Sequence, residues 1–337
     1  MEHLDCVNAA DGKSLWRASF ATRYAGGIDP DEGPRCVPVV HDGKVFVYGV
    51  GRDVHAVSVE DGRKIWSREL KSDYGAEDGY FGAGSTPLVL QDRLIVCVGG
   101  GKQSGVVALD LATGETLWQA LDSEASYASP VAIKVAGREC LLAVMRLEAY
   151  LLDPSNGAEI NRVRFGARGP TVNAATPIVD GAEAFLTASY GIGCRKLDFA
   201  AQQVANAWLD DEVISSQYVT PVRVGDFLYG ITGREDMRNA GLICVDWKAG
   251  KVQWRQADYG TAHLIAAGDR LLVQSVAGKL EVLAADPQSY RVLSSARLPV
   301  GVYRALPALA DGIYFGRRTI SATEGEIVAV RVGQKSQ

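Results

Sequence analysis

Long apolar runs are missing from this chain. Nowhere do about 18 apolar residues follow one another, the length a membrane-spanning helix needs. Runs of Lys or Arg are missing too, and the net charge is −5. A phosphate-binding face needs a basic surface, so a nucleic-acid partner is disfavoured. The six cysteines, at 6, 36, 97, 140, 194 and 244, include no CxxC spacing and no adjacent pair. Metal ligation by close-spaced thiolates is thereby disfavoured. The four histidines, at 3, 41, 55 and 263, show no metal-ligand spacing either. The first residues, "MEHLDCVNAADGKSLW", contain neither the basic stretch nor the apolar core and small-residue cleavage site of a secretory leader.

Glycine is abundant, at 37 residues in 337, beside 47% hydrophobic and 22% charged residues. That balance fits a globular chain punctuated by many short turns. The turns are periodic. "VVALDLATGETLW" sets Asp110, Gly114 and Trp118 at fixed offsets. The same spacing returns at Asn8, Gly12 and Trp16, at Ser58, Gly62 and Trp66, and at Asp246, Gly250 and Trp254. Weaker copies start at Asp153 and Asp286, and "LDFAAQQVANAW" places Trp208 two residues late after Asp198. "EIVAVRVG" repeats the apolar run with Arg331 in the Asp position. Cys6 and Cys244 share a slot that Ala108 fills in another copy, which marks a small packed position rather than a redox centre.

Between these copies runs a second signal. Pro38, Pro87, Pro130, Pro177, Pro221 and Pro307 each precede a short apolar run, and "AHLIAAGD" near Ile265 fills the one gap. Neighbouring copies lie roughly 45 residues apart, a period that marks a repeat architecture. Each unit reads as four short strands: the Pro strand, the run after a Gly turn, the run ending in Asp, and the run around Trp. β-branched and aromatic residues dominate, and no stretch holds helical periodicity over two turns. Four antiparallel strands at this period make a β-propeller blade. Pro suits an edge strand, where its missing N–H breaks no ladder bond. The Asp carboxylate is expected to accept N–H bonds from its turn, and the Gly to supply positive φ. The Trp lies far enough along the outer strand to wedge against the next blade.

The A-x-D-x-x-T-G-x-x-x-W pattern of "ALDLATGETLW" resembles the quinoprotein-type (PQQ-like) β-propeller repeat, with echoes over nearly the whole chain. The resemblance implies an all-β fold, a single propeller domain over residues 1–337. The family includes pyrroloquinoline-quinone dehydrogenases of about eight blades. It also includes non-enzymatic bacterial envelope propellers such as the outer-membrane barrel-assembly lipoprotein, and the order of elements here is most similar to those. Periplasmic or cell-envelope localisation is what that resemblance implies. Eight third strands stand against seven first strands. Seven or eight blades fit, and an eight-bladed parent whose first blade is incomplete in this chain is the favoured expectation. In a seven-bladed ring, "SLWRASF" would close the last blade and "HLDCVN" would be spare.

Catalytic signatures fail one by one. The quinoprotein enzymes carry an adjacent Cys-Cys disulfide, a Ca²⁺ held by oxygen ligands and an Asp base; no Cys-Cys pair or D-x-D-x-D cluster occurs here. "GGGKQSG" (99–105) lacks the upstream Gly and the Ser/Thr of a phosphate loop and reads as the link between a second and a third strand. "GYFGAG" (79–84) has the wrong spacing for a dinucleotide fingerprint, and no G-x-S-x-G elbow is present. The expectation is a non-catalytic scaffold without cofactor or catalytic residues that binds a protein or peptide. The alternative is a quinone- or metal-dependent oxidoreductase, with PQQ and Ca²⁺, or another enzyme with its site in the central channel.

Long loops into the first strand and between second and third strands gather on one face of a propeller. Here they carry Tyr74, Asp78, Tyr80 and Phe81, then Tyr127, Tyr218, Arg234, Glu235, Asp236 and Arg238, and finally Tyr303, Arg304, Arg317 and Arg318. Tyr and Arg on a rigid platform are what interface hot spots use. Tyr74, Asp78, Tyr80, Tyr127, Tyr218, Arg234, Asp236, Arg304 and Arg317 are therefore the expected partner-binding set.

Overall fold

A computed structural model describes residues 1–24, 35–200, 204–210, 213–321 and 324–333. The turn between Asp198 and Trp208 and the loop after Arg317 each run partly outside those residues. Strands dominate. A hairpin of β1 (Glu2–Val7) and β2 (Ser14–Phe20) comes first. Four-stranded antiparallel blades follow: β3 (Val39–His41), β4 (Lys44–Tyr48), β5 (Asp53–Ser58) and β6 (Lys64–Glu69) form one. After a one-turn helix α1 (Leu70–Tyr74) come β7 (Leu88–Leu90), β8 (Arg93–Gly100), β9 (Ser104–Asp110) and β10 (Thr116–Ala120). The third blade is β11 (Val131–Val135), β12 (Arg138–Val144), β13 (Glu148–Leu152) and β14 (Glu159–Arg164). The fourth is β15 (Ile178–Asp180), β16 (Glu183–Ala188), β17 (Gly193–Asp198) and β18 (Ala205–Asp210). The fifth is β19 (Val222–Val224), β20 (Phe227–Thr232), β21 (Gly241–Asp246) and β22 (Val252–Gln256). The sixth is β23 (Ala262–Ala267), β24 (Arg270–Ser275), β25 (Lys279–Ala284) and β26 (Val292–Arg297). Three strands, β27 (Ala308–Ala310), β28 (Ile313–Thr319) and β29 (Gly325–Arg331), make the last.

The chain is thus all-β, a β-propeller of seven antiparallel blades preceded by a hairpin. The favoured eight-bladed parent is not what these sheets display. Nor is the β1 segment spare: it pairs with β2 from Glu2↔Phe20 to Val7↔Ser14. Helix α1 is the one departure from strand-and-turn structure among the described residues. It ends at Gly75, whose φ of 64° closes it in the left-handed region.

Every Pro of the second signal stands one residue before its strand, at 38, 87, 130, 177, 221 and 307. Lacking an N–H, it cannot extend the ladder backwards. Five of these strands are three residues long and one is five, whereas β23, which has no Pro, runs for six.

The chain divides into two compact units, Met1–Ala182 with Phe199–Val204, and Glu183–Asp198 with Ala205–Gln337. In the first, Phe46, Val54, Ala56, Leu94, Val96 and Leu109 pack around Trp66, and Ile95, Cys97, Val106, Leu141 and Leu152 pack around Trp118. In the second, Tyr229, Ile231, Leu242, Cys244, Leu271 and Val273 form a core that Trp254 borders. Strands β8, β9, β20 and β21, the second and third of their blades, are apolar and largely buried on both faces, as strands covered on both sides must be.

The Trp–Gly–Asp pattern is the joint between blades. Trp66 lies over the Gly114 turn, where a Cβ on Gly114 would stand 2.6 Å from indole Cε3. Its indole N–H donates to the Leu111 carbonyl at 3.2 Å. Trp16 covers Gly62 and donates to Val59, Trp118 covers Gly157 and donates to Pro154, and Trp208 covers Gly250 and donates to Trp247. Trp254 donates to the Asp286 carbonyl. Asp110 Oδ1 accepts from the Ala112 and Thr113 amides and the Thr113 hydroxyl. Those bonds, the Thr113 amide first, hold its carboxyl below the ordinary range. Asp246 repeats the arrangement with Lys248 and Ala249.

Candidate functional site

In the second unit three loops bring four of the expected residues together. Residues 213–221, 233–240 and 298–307 enter or link strands. The Tyr218 hydroxyl donates to Glu235 Oε2 at 2.6 Å, and Arg304 grips the same carboxylate with Nη2 at 2.8 Å and Nε at 3.3 Å. Burial works against the Glu235 carboxylate, but Arg304 and Tyr218 hold its pKa below the ordinary value. The Tyr218 phenol moves the other way, upward, through its own burial and then the bond to Glu235.

On the other side of Glu235, Arg234 and Asp236 form a two-point ion pair, with Nε at 3.0 Å from Oδ1. The Arg234 guanidinium also stacks over Tyr190, 4.5 Å from its ring centre. Gln217 ties the halves together: its Oε1 accepts from the Glu235 amide at 2.8 Å, and its amide donates to the Tyr190 hydroxyl and to Asp236. His263 lies behind, 6.1 Å ring to ring from Tyr218, with Nε2 2.8 Å from the Arg304 carbonyl. Burial holds its imidazole below the ordinary pKa.

Tyr190, Gln217 and His263 were not among the expected residues. The "SYG" that carries Tyr190 sits in a short link after a second strand, the same loop class that supplies Arg234. That register was the one signal available for it. His263 belongs to the strand that has no Pro, and its depth could not be read from the sequence. Arg317 stands apart, bonded to Thr319 at 3.2 Å. Tyr303 is fully buried, its hydroxyl donating to the Pro299 carbonyl and its ring packed with Leu298 and Tyr314. It supports the loop from below and is not a surface residue, because "VGVYRALP" folds its aromatic under the chain turn.

In the first unit Tyr80, Phe81 and Tyr127 form an aromatic cluster with Arg35. Phe81 meets Tyr127 edge-on at 5.6 Å and Tyr80 at 6.4 Å, and the Arg35 guanidinium lies 5.8 Å from the Phe81 ring. The Phe81 amide donates to the Tyr127 hydroxyl at 2.9 Å. A Cβ on Gly84 would stand 2.4 Å from the Tyr127 ring, so this aromatic is wedged into its loop. Tyr74 and Asp78 are spent locally. The Tyr74 hydroxyl bonds the Thr116 hydroxyl at 2.6 Å beneath Arg68, and Asp78 pairs with Lys71 at 2.6 Å.

A cleft of about 300 Å³ opens beside the β1–β2 hairpin, bounded by Phe20, His55, Lys64 and Ser67. His55 Nδ1 is 2.5 Å from Ser67 Oγ, the spacing of a nucleophile and its base. Phe20 stacks on the imidazole at 4.0 Å and 8°. Burial and then Lys64 lower the His55 pKa to about 4, and no group bonds its Nε2 among the described residues. With Nε2 bonded by no group among the described residues, the pair lacks the third member that orients the imidazole of a Ser-His-Asp triad. Among the described residues no three His, Cys, Asp or Glu side chains converge as cation ligands, and all six cysteines are free thiols.

The blades and their Trp–Gly joints define a class, the β-propeller of PQQ-like repeats. The sequence pattern of the family described as "Outer membrane protein assembly factor BamB" matches residues 1–256, and the chain belongs to that family. A solved structure of BamB from Moraxella catarrhalis superposes with a TM-score of 0.66 at 16% identity, covering 94% of this chain and 88% of that one. A europium-containing methanol dehydrogenase gives 0.66 at 11% identity, with 94% and 78% covered. The quinohemoprotein alcohol dehydrogenase from Comamonas testosteroni gives 0.62 at 12%, with 99% and 73% covered. At such identities the likeness is one of fold. No curated protein matches the chain.

Proposed function

We propose that this protein is a non-catalytic propeller scaffold of the bacterial cell envelope that captures a protein or peptide on its loop-rich face. One observation carries the reading: the Tyr190–Arg234–Asp236 and Tyr218–Glu235–Arg304 chains, joined by Gln217, hold charged and aromatic groups in fixed positions at the surface. Arg304 and Asp236 are exposed there, with Met237 beside them at 62% exposure. A pre-ordered Arg and Tyr platform loses little side-chain freedom on binding, which is what a hot spot requires. Family membership supports the same reading, since the family's name is that of an assembly factor. Likeness to the two dehydrogenases extends to the fold.

Charge removal tests it. Arg304→Gln combined with Asp236→Asn takes away the two exposed charges and leaves amides that can still hydrogen-bond Glu235 and Arg234, a change that costs little stability at exposed positions. The expected result is an unshifted melting temperature together with loss of the partner that the wild type cross-links in envelope extracts. Unchanged cross-linking would overturn the proposal. So would robust dye reduction by the wild type given pyrroloquinoline quinone, Ca²⁺ and an alcohol panel.

A further inference from the structure

Among the described residues Lys196 and Arg52 are the buried lysine and arginine. Lys196 has its counter-charge, with Nζ 2.6 Å from Glu183 Oε1. Arg52 has none. It stands in the link between β4 and β5, at φ 68°, and is 6% exposed. Its Nη1 donates to the Val98 carbonyl on β8 at 2.7 Å. Its Nε is sealed from solvent without an acceptor, and Nη2 makes no hydrogen bond to a described residue. Glu2 reaches the same link but spends Oε1 on the Val50 amide and forms no ion pair with Arg52. A guanidinium taken out of water with one carbonyl as partner is costly, because desolvation falls on the whole charge.

The groups around it lack acceptors in the same way. Tyr48 ends β4 just before the link, 1% exposed, and its hydroxyl is sealed with no partner. Burial pushes that phenol up to about 12, although Arg52 pulls it down. Tyr24 is buried too, and its hydroxyl is equally unpartnered. A Cβ on Gly82 would stand 2.6 Å from Val50 Cγ2 and 3.2 Å from Tyr24 Cε2, which sets that ring against the Arg52 link. The Tyr127 hydroxyl accepts from the Phe81 amide, and its own hydrogen finds no acceptor among the described residues. Burial raises its pKa, and both Arg52 and Tyr24 act on it.

We infer that Arg52 and the Tyr24, Tyr48 and Tyr127 hydroxyls form a binding site for a carboxylate. A carboxylate is planar and only accepts, so it matches the guanidinium fork and takes up phenol hydrogens. Its single negative charge balances the single cation, whereas a phosphate dianion would leave charge unmatched. The rim of Tyr80, Phe81 and Tyr127 suits an acid carried on a flat apolar group. A free small acid and an acidic side chain of a partner offer the same chemistry. These residues lie in the first unit and share no member with the Arg304 network, so the failure of either proposal leaves the other standing.

The probe is para-fluorobenzoate, with para-fluorobenzamide as its neutral isostere and fluorine NMR with the full-length protein as readout. Saturable line broadening of the acid is expected, with at least about tenfold weaker binding of the amide. Arg52→Gln should weaken binding of the acid by a similar factor. Tyr48→Phe removes one sealed, unpartnered oxygen, so it should weaken binding by about threefold with no loss in melting temperature. It carries the test if Arg52→Gln does not fold. Arg63→Gln, at an exposed position, is the control and should bind like wild type. Competition by acetyl-Gly-Asp-Gly-amide separates the two sources. Displacement of the probe at lower concentration than unlabelled benzoate needs assigns the site to a partner's side chain, and the reverse order assigns it to a free acid. Absence of saturable binding, equal binding of the amide, or binding indifferent to both Arg52→Gln and Tyr48→Phe would overturn the inference.

Discussion

At the scale of single residues, two glycines of similar φ separate two contributions to stability. Gly12 and Gly114 share a positive φ, which a Cβ resists by about 1–2 kcal/mol. At Gly12 that strain is the whole cost, since the space beyond is open. At Gly114 the new methyl also strikes Trp66 at 2.6 Å, and overpacking adds about 1–3 kcal/mol. Chemical denaturation should therefore find Gly114→Ala clearly more destabilised than Gly12→Ala. Equal losses would mean that the indole moves aside freely and does not act as a joint. Glu281 makes a comparable point about polar groups. Burial opposes its charge, but Tyr259, Lys279 and Tyr290 hold the carboxylate below its ordinary pKa. Its contribution is present above the unfolded value and fades as the pH falls through the folded one.

At the scale of elements, the β1–β2 hairpin is fastened by Trp16 on Gly62, by Ala18 and Phe20 against Val45 and Val57, and by Phe20 stacked on His55. His55 stays neutral in the folded protein down to a pH of about 4, against an ordinary value of 6.5. The unfolded chain takes up its proton first, so stability falls as the pH drops from 6.5 towards 4. Across that window the loss is roughly 3 kcal/mol, and below the folded pKa it levels off. Replacing His55 with Leu should flatten this part of the stability–pH curve, measured by urea titration at several pH values. A slope unchanged in the variant would assign the dependence to other groups.

At the scale of the whole molecule, a propeller is a linear series of sheets whose energetics are sums of blades and nearest-neighbour joints. Trp118 works in the first unit against Pro154 and Gly157, and Trp254 in the second against Asp286, Tyr229 and Tyr290. Each truncation to Ala should cost about 3–5 kcal/mol. With no shared contact, the double variant should lose the sum within about 0.5 kcal/mol. A strongly non-additive double would show coupling beyond neighbouring blades.

The repeat was legible because it is written in local chemistry. Pro before a strand, Asp opening a turn, Gly at positive φ and Trp a fixed distance later each act on residues close by in the chain, and their period carries the blade. The proposed binding face was legible only by loop register. Register placed Tyr218, Arg234, Asp236 and Arg304 on related loops, but it could not show that Glu235 links Tyr218 to Arg304, that Tyr190 stacks under Arg234, or that Tyr303 turns inward. Those facts depend on side-chain directions from loops tens of residues apart. The amino-acid sequence by itself determined the strands, the turns and the docking of one blade on the next. Which polar groups meet was decided by tertiary structure, because contacts between distant loops and the burial of a particular face exist only once the sheets are stacked.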